Sequence, residues 1–90
     1  MQAKILIFIK RDPRISHKPV EALRLAAGLA ASKIDVQVDL GDHYKMFNIE
    51  NSDKLVNGRL IPPLMQILNK YNSFQIKPDN KKKTIIKLYF

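Results

Sequence analysis

The polar loop at residues 10–18 holds the side chains of this sequence that are best suited to bind a ligand. It offers two guanidinium groups that can each form paired hydrogen bonds to a phosphate or carboxylate, together with a hydroxyl, an imidazole and an ammonium group. The loop precedes a predicted helix, whose free N–H groups and positive dipole end favour anions. It lacks the glycines of a phosphate-cradling motif. The predicted anion-binding residues are Arg11, Arg14, Ser16, His17 and Lys18. In the alternative interpretation, the serine or the histidine caps the helix and the basic side chains are solvated.

A second set of residues has the types needed for metal binding or acid–base chemistry. His17 and His43 each follow a predicted strand, and Asp12 and Asp42 lie close to them in the sequence. Ser16 with His17 and Asp12 also has the residue types of a nucleophilic triad, but the nucleophile-elbow sequence is missing. The spacing requires neither arrangement, and histidines in loops are ordinarily surface residues. We therefore predict no catalytic residue, no metal ligand and no cofactor.

The absence of cysteine excludes much chemistry. Without a thiol the chain forms no disulfide, thiolate nucleophile, persulfide or thiolate metal site. The longest apolar run, residues 5–9, is also far shorter than the roughly 20 residues that span a bilayer. These observations favour a cytoplasmic protein without membrane contact. The missing cysteine and the lack of a complete catalytic motif weigh against an enzyme but leave a small enzyme as an alternative.

The chain is strongly basic. Sixteen Lys and Arg residues oppose eight Asp and Glu residues, for a formal charge of +8, and more than half of the positive residues lie near the two ends. This balance favours an acidic partner such as nucleic acid, with Tyr89 available for stacking on a base. The predicted nucleic-acid contacts are Lys77, Lys81, Lys82, Lys83 and Lys87. The alternative is a charged turn that protects an aggregation-prone strand.

The elements that must position these residues alternate between strand and helix. Residues 4–9 are apolar on both faces, as in an interior parallel strand covered by helices on each side, and residues 19–32 predict a helix. Residues 34–40 alternate between apolar and polar, which indicates a strand with one solvated face near a sheet edge. Residues 43–58 have only weak helical periodicity.

The second half of the chain continues the same alternation. Residues 64–71 predict a helix, and residues 74–77 and 84–90 predict strands. The whole chain, residues 1–90, is long enough for one small domain. We therefore predict a single α/β domain with a mostly parallel sheet of four to five strands.

These features resemble the DsrE/DsrF-like family of sulfur-relay and related proteins. The resemblance rests on the apolar first strand, a loop ending in Ser16-His17-Lys18-Pro19, an alanine-rich helix, an alternating strand ending in Gly41-Asp42, and the helix at residues 64–71. It implies a three-layer α/β/α sandwich that assembles as a trimer or hexamer. A flavodoxin-like fold is the alternative.

Some members of this family carry sulfur on a cysteine that follows the last long helix. Residues 73–77 occupy that place here and contain no cysteine, so the resemblance implies the scaffold without the persulfide chemistry. It implies an oligomeric binding or scaffolding subunit, alone or with cysteine-bearing homologues in sulfur relay. Leu25, Leu29 and Phe90 are the predicted subunit contacts. A basic nucleic-acid-binding module, and a small enzyme or binder of an anionic ligand, are the alternative functions.

Overall fold

A parallel sheet forms the centre of the protein. The computed structural model describes residues 3–47, 53–74 and 84–90. Strand β1 (Ala3–Phe8) lies between β2 (Asp35–Asp39) and β3 (Thr84–Tyr89), and both neighbours run parallel to it. The apolar β1 sequence suits this central position because a strand paired on both edges lies inside the fold.

Helix α1 (Lys18–Ala31) connects β1 to β2 and packs against β2. Its first turn contains Pro19, which has the backbone conformation that a helix start requires. One face of the helix is buried, and its small side chains allow close approach to the sheet. The buried residues are Pro19, Val20, Ala22, Leu23, Ala26, Ala27 and Ala30. This set includes the whole face that the apolar spacing predicts.

The chain then passes through short 3₁₀ turns at Gly41–Met46 and Gly58–Leu60 before helix α2 (Ile61–Lys70). Helix α2 begins three residues earlier than its apolar stripe predicts, since the two prolines fit in its first turn. It packs side by side with α1 and buries Ile61 and Leu68. After the helix, the carbonyl of Ser73 accepts a hydrogen bond from Val38 N–H at 2.7 Å, which places the end of α2 beside the outer edge of β2.

The core lies between the two helices and one face of the sheet. Ile7 of β1 and Val38 of β2 are paired in register and almost completely buried, so they share this face. They belong to one continuous cluster with Leu23 of α1 and Leu68 of α2. The helices therefore hold the ends of β1 and β2 in fixed positions.

The structure confirms an α/β fold with a parallel sheet, and among the described strands β2 lies at an edge of the sheet. Three strands are present in the described part of the chain, and of the predicted strand at residues 74–77 only Phe74 is described, in a turn. The predicted solvated face of β2 is wrong at Gln37, which is buried. The alternating pattern predicts to which face of the sheet a side chain points, but it does not predict whether another part of the chain covers that face. No helix among the described residues is long and apolar enough to cross a membrane.

Candidate functional site

The carboxyl ends of the three strands are held together by backbone hydrogen bonds. Ile9 N–H donates to the Asp39 carbonyl at 3.0 Å, and Phe90 N–H donates to the Phe8 carbonyl at 2.8 Å. Lys10 N–H then donates to the Phe90 carbonyl at 2.7 Å. The loop that follows β1 therefore starts from a fixed position at the sheet edge where open α/β sheets bind ligands.

Asp12 organises this loop. Its backbone carbonyl accepts hydrogen bonds from the N–H groups of Ile15 and Ser16, and its Oδ1 accepts one from Arg14 N–H at 2.9 Å. Pro13, which lies between Asp12 and Arg14, is buried, and its carbonyl accepts a hydrogen bond from Val56 N–H at 2.9 Å. The backbone N–H groups of Arg14, Ile15 and Ser16 are thus already hydrogen bonded within the loop, so they are not available to an anion.

The guanidinium of Arg14 is also engaged by Asp12. Nε lies 3.0 and 3.1 Å from the two carboxylate oxygens, and Nη2 lies 2.6 Å from Oδ2. These side-chain hydrogen bonds, then the Arg14 backbone N–H, lower the pKa of Asp12 from 3.8 to about 2. The same pair raises the pKa of Arg14. A phosphate or carboxylate ligand must therefore share Arg14 with a carboxylate that is already in place.

The other predicted anion-binding residues lie along the same loop. Ser16 Oγ accepts a hydrogen bond from Lys18 N–H at 3.1 Å, so the serine satisfies an amide at the helix start. His17 occupies the capping position without a side-chain capping bond. Arg11, His17 and Lys18 are exposed. The hydrogen bond of Ser16 therefore forms a turn just before the helix, while the N-cap residue itself is His17.

The four-residue cluster of histidines and aspartates does not form. His43 is close enough to Asp12 for its charge to contribute a smaller lowering of the Asp12 pKa. In the described ranges, however, no group of three or more His, Cys, Asp or Glu side chains is arranged to hold a metal ion. The pairing of Asp12 with Arg14 explains this result, since it directs the carboxylate to the guanidinium.

An aromatic pair at the same sheet edge was not predicted as a unit. Phe8 and Tyr89 are opposite each other in neighbouring strands, and their rings stack with centroids 5.2 Å apart and planes at 16°. Lys10 Nζ lies 5.7 Å from the centroid of the Phe8 ring. Sequence reasoning identified Tyr89 but missed Phe8 and Lys10, because their positions beside Tyr89 depend on the register between β1 and β3.

Of the residues predicted to bind nucleic acid or other subunits, the structure describes Lys87, Leu25, Leu29 and Phe90. Lys87 is exposed on β3, whereas Lys77, Lys81, Lys82 and Lys83 lie outside the described residues. Leu25 is 40% exposed on α1. Leu29 and Phe90 are partly buried and pack against the core of their own chain. Only part of each of their side chains is thus available to a partner.

A further surface feature is an open depression of about 670 Å³ beside the start of α2. It is lined by Asp53, Leu55, Asn57, Gly58, Arg59 and Leu60. Asn57 adopts a left-handed backbone conformation there, with φ of 54°. Residues 43–58 were predicted only to be of mixed character, and the sequence pattern contains no signal for this depression.

Comparison of the chain with family models, with curated proteins and with solved structures finds no match. The fold and the site therefore define only a structural class of protein. It is a small parallel α/β protein with a basic loop and an aromatic pair at the carboxyl edge of its sheet.

Proposed function

We propose that this protein is a non-catalytic, DsrE/DsrF-like binding or scaffolding subunit that works as an oligomer. The proposal includes a three-layer sandwich with a sheet of four to five strands, cytoplasmic location, and assembly with its own copies or with cysteine-bearing homologues. It excludes persulfide chemistry by this chain, which has no cysteine. The observation that carries it is the apolar surface left open at Leu25 and Leu29 on α1 and at Ile86 on β3, three residues that we call the apolar strip.

One residue of the strip, Ile86, lies on the sheet. Ile86 is opposite Ile5 in register and therefore shares the sheet face of the core, yet it is 43% exposed. The two helices pack side by side, and the end of α2 lies at the outer edge of β2. On this face of β3, Leu88 is partly buried against the core whereas Ile86 is exposed, so the open part of the face lies at Ile86.

The flank of α1 that faces away from α2 carries the other two residues of the strip. Arg24 lies on the opposite flank, where it lines a shallow groove with Leu60, Pro63 and Leu64 at the start of α2. Leu25 and Leu29 are four residues apart and so lie one above the other on the free flank. We propose that one neighbouring subunit contacts both this flank and Ile86.

A charged substitution in the strip tests the proposal. Burying a whole leucine side chain contributes about 1.5–3 kcal/mol, and the 40% of Leu25 that is exposed corresponds to about 0.6–1.2 kcal/mol. Leu25→Lys also places a charge in the contact, so it is expected to weaken subunit association about fivefold or more. Sedimentation velocity over a range of concentrations measures this change. Ile15→Lys is the matched control, because Ile15 is 82% exposed in the β1–α1 loop and lies off the strip.

Two results would contradict the proposal. One is equal weakening of association by Leu25→Lys and Ile15→Lys, which would place the contact elsewhere. The other is a wild-type chain that is monomeric at all concentrations and that retains no cysteine-bearing DsrE-like protein from its native lysate at low or high salt.

A further inference from the structure

The Phe8–Tyr89 pair presents an aromatic surface to solvent. Tyr89 is 62% exposed although one side of its ring stacks on Phe8. Phe8 is partly buried and belongs to the central strand, so it supports Tyr89 from a fixed position. Phe90 N–H and the Phe8 carbonyl are hydrogen bonded at 2.8 Å, which holds the end of β3 in place. An aromatic side chain fixed in this way loses little conformational freedom when a planar ligand stacks on it.

Positive charge lies on both sides of the pair. Lys10 Nζ is 5.7 Å from the Phe8 centroid, and Lys10 is exposed. Lys87 is also exposed, and it lies on the same sheet face as Tyr89 because the two residues are two positions apart in β3. This separation corresponds to about 7 Å along the strand. The whole chain adds a net charge of +8.

We propose that the Phe8–Tyr89 pair and its flanking lysines bind single-stranded nucleic acid. One base stacks on Tyr89, and the adjoining phosphates contact Lys87 and Lys10. Aromatic side chains beside a positive surface are the usual means by which proteins bind single strands without sequence preference. A simple anion makes no use of the aromatic surface, and the bases of a double helix are already stacked on one another.

This site is independent of the apolar strip. Tyr89 and Ile86 are three positions apart in β3, so their side chains point to opposite faces of the sheet. A nucleic acid on Tyr89 therefore leaves the face of Leu25 and Ile86 accessible to a second subunit. Failure of one proposal leaves the other intact, because the two sites are changed by different substitutions and measured by different experiments.

Fluorescence anisotropy with labelled oligouridylate and oligothymidylate of about ten nucleotides tests the site, since this length is within the range that one small domain covers. Tyr89→Ala is expected to weaken binding about 5- to 150-fold, the effect of losing one stacked base. Tyr89→Phe retains the aromatic ring and is expected to bind as the wild type does. Tyr71→Ala is the matched control, because Tyr71 is 43% exposed beneath Lys70 Nζ, away from β3.

The dependence on salt distinguishes the roles of the lysines and the tyrosine. Lys87→Gln and Lys10→Gln are each expected to reduce the slope of log K against log salt by about 0.7, the effect of one lost phosphate contact to a single strand. Tyr89→Ala is expected to leave the slope unchanged, and Lys70→Gln is expected to change neither slope nor affinity. Circular dichroism of each variant verifies that the fold is retained.

Four outcomes would overturn the proposal. The first is equal affinity of Tyr89→Ala and Tyr71→Ala for the oligonucleotides, which identifies diffuse attraction to a basic chain. The second is equally tight binding of a duplex of the same length. The third is competition by polyglutamate at equal charge concentration, which identifies an acidic protein segment as the partner. The fourth is the absence of wild-type binding to the oligonucleotides at low salt.

Discussion

Gly41 is the residue at which a single added methyl group should be most damaging. It lies two residues after the end of β2 and has φ of +73°, in the left-handed region that glycine adopts easily. A Cβ atom at this position would clash with the backbone oxygen of Ile9, the residue that follows β1. The contact is with backbone, so it can be relieved only if one of the two chain segments moves.

The cost of Gly41→Ala has three parts. The left-handed conformation of a residue with a Cβ costs about 1–2 kcal/mol. Displacement of the strand ends weakens the hydrogen bond from Gly41 N–H to Asp39 Oδ1, which is 2.8 Å long, and a bond of this kind contributes about 0.5–1.5 kcal/mol. Relief of the close contact adds strain. We expect a loss of about 2–4 kcal/mol in the free energy of unfolding, or about 10–30 °C in Tm for a domain of this size.

Gly28→Ala is the matched control, since Gly28 lies inside α1 with open space where its Cβ would be. Its replacement should stabilise the protein by about 0.8–1 kcal/mol through helix propensity. Urea denaturation followed by circular dichroism, at fixed protein concentration, measures both variants. Gly41→Asn separates the causes: asparagine tolerates the left-handed region but retains the Cβ, so it should also be destabilising. A Gly41→Ala variant as stable as the wild type would refute the reasoning.

Two further changes test the core and the loop. Leu68→Ala should lower the free energy of unfolding by about 2–5 kcal/mol because Leu68 is fully buried. The control Ile67→Ala changes a residue that is 38% exposed, so it should lower the free energy of unfolding clearly less. Equal losses for the two variants in denaturant titrations would contradict the packing described for α2. The pKa of Asp12 is lowered to about 2 in the folded protein, so its ionised form contributes stability above about pH 4 that is lost as the pH falls towards 2. Asp12→Asn should therefore reduce the acid sensitivity of folding in that range, and an unchanged pH profile of stability would argue against the Asp12–Arg14 pair.

The elements that local pattern predicts well are those whose signal lies within a few neighbouring residues. The spacing of Val20, Leu23, Ala27 and Ala30 predicts the buried face of α1 because helical periodicity acts over one or two turns. The strand β1 is predicted by a continuous apolar run for the same reason. The loop between them follows from the order of these two elements.

The chemistry of that loop was less accessible to sequence reasoning. Arg14 was predicted to be available for an anion, whereas the structure pairs it with Asp12, only two residues away. The sequence shows that both charges are near each other, but several carboxylates are within reach of a flexible arginine. The turn that is held by hydrogen bonds to the Asp12 carbonyl makes Asp12 the partner of Arg14.

By itself, the sequence determined the α/β alternation, the basic loop after β1 and the absence of thiol chemistry, since each depends on residue types or on local periodicity. Only the tertiary structure decided that Phe8 stacks on Tyr89, that Gln37 is buried, and that Ile86 is left uncovered. Each of these depends on which strands are neighbours, in which register, and where the helices lie across the sheet. Such relations join residues from distant parts of the chain, and no short sequence pattern records them.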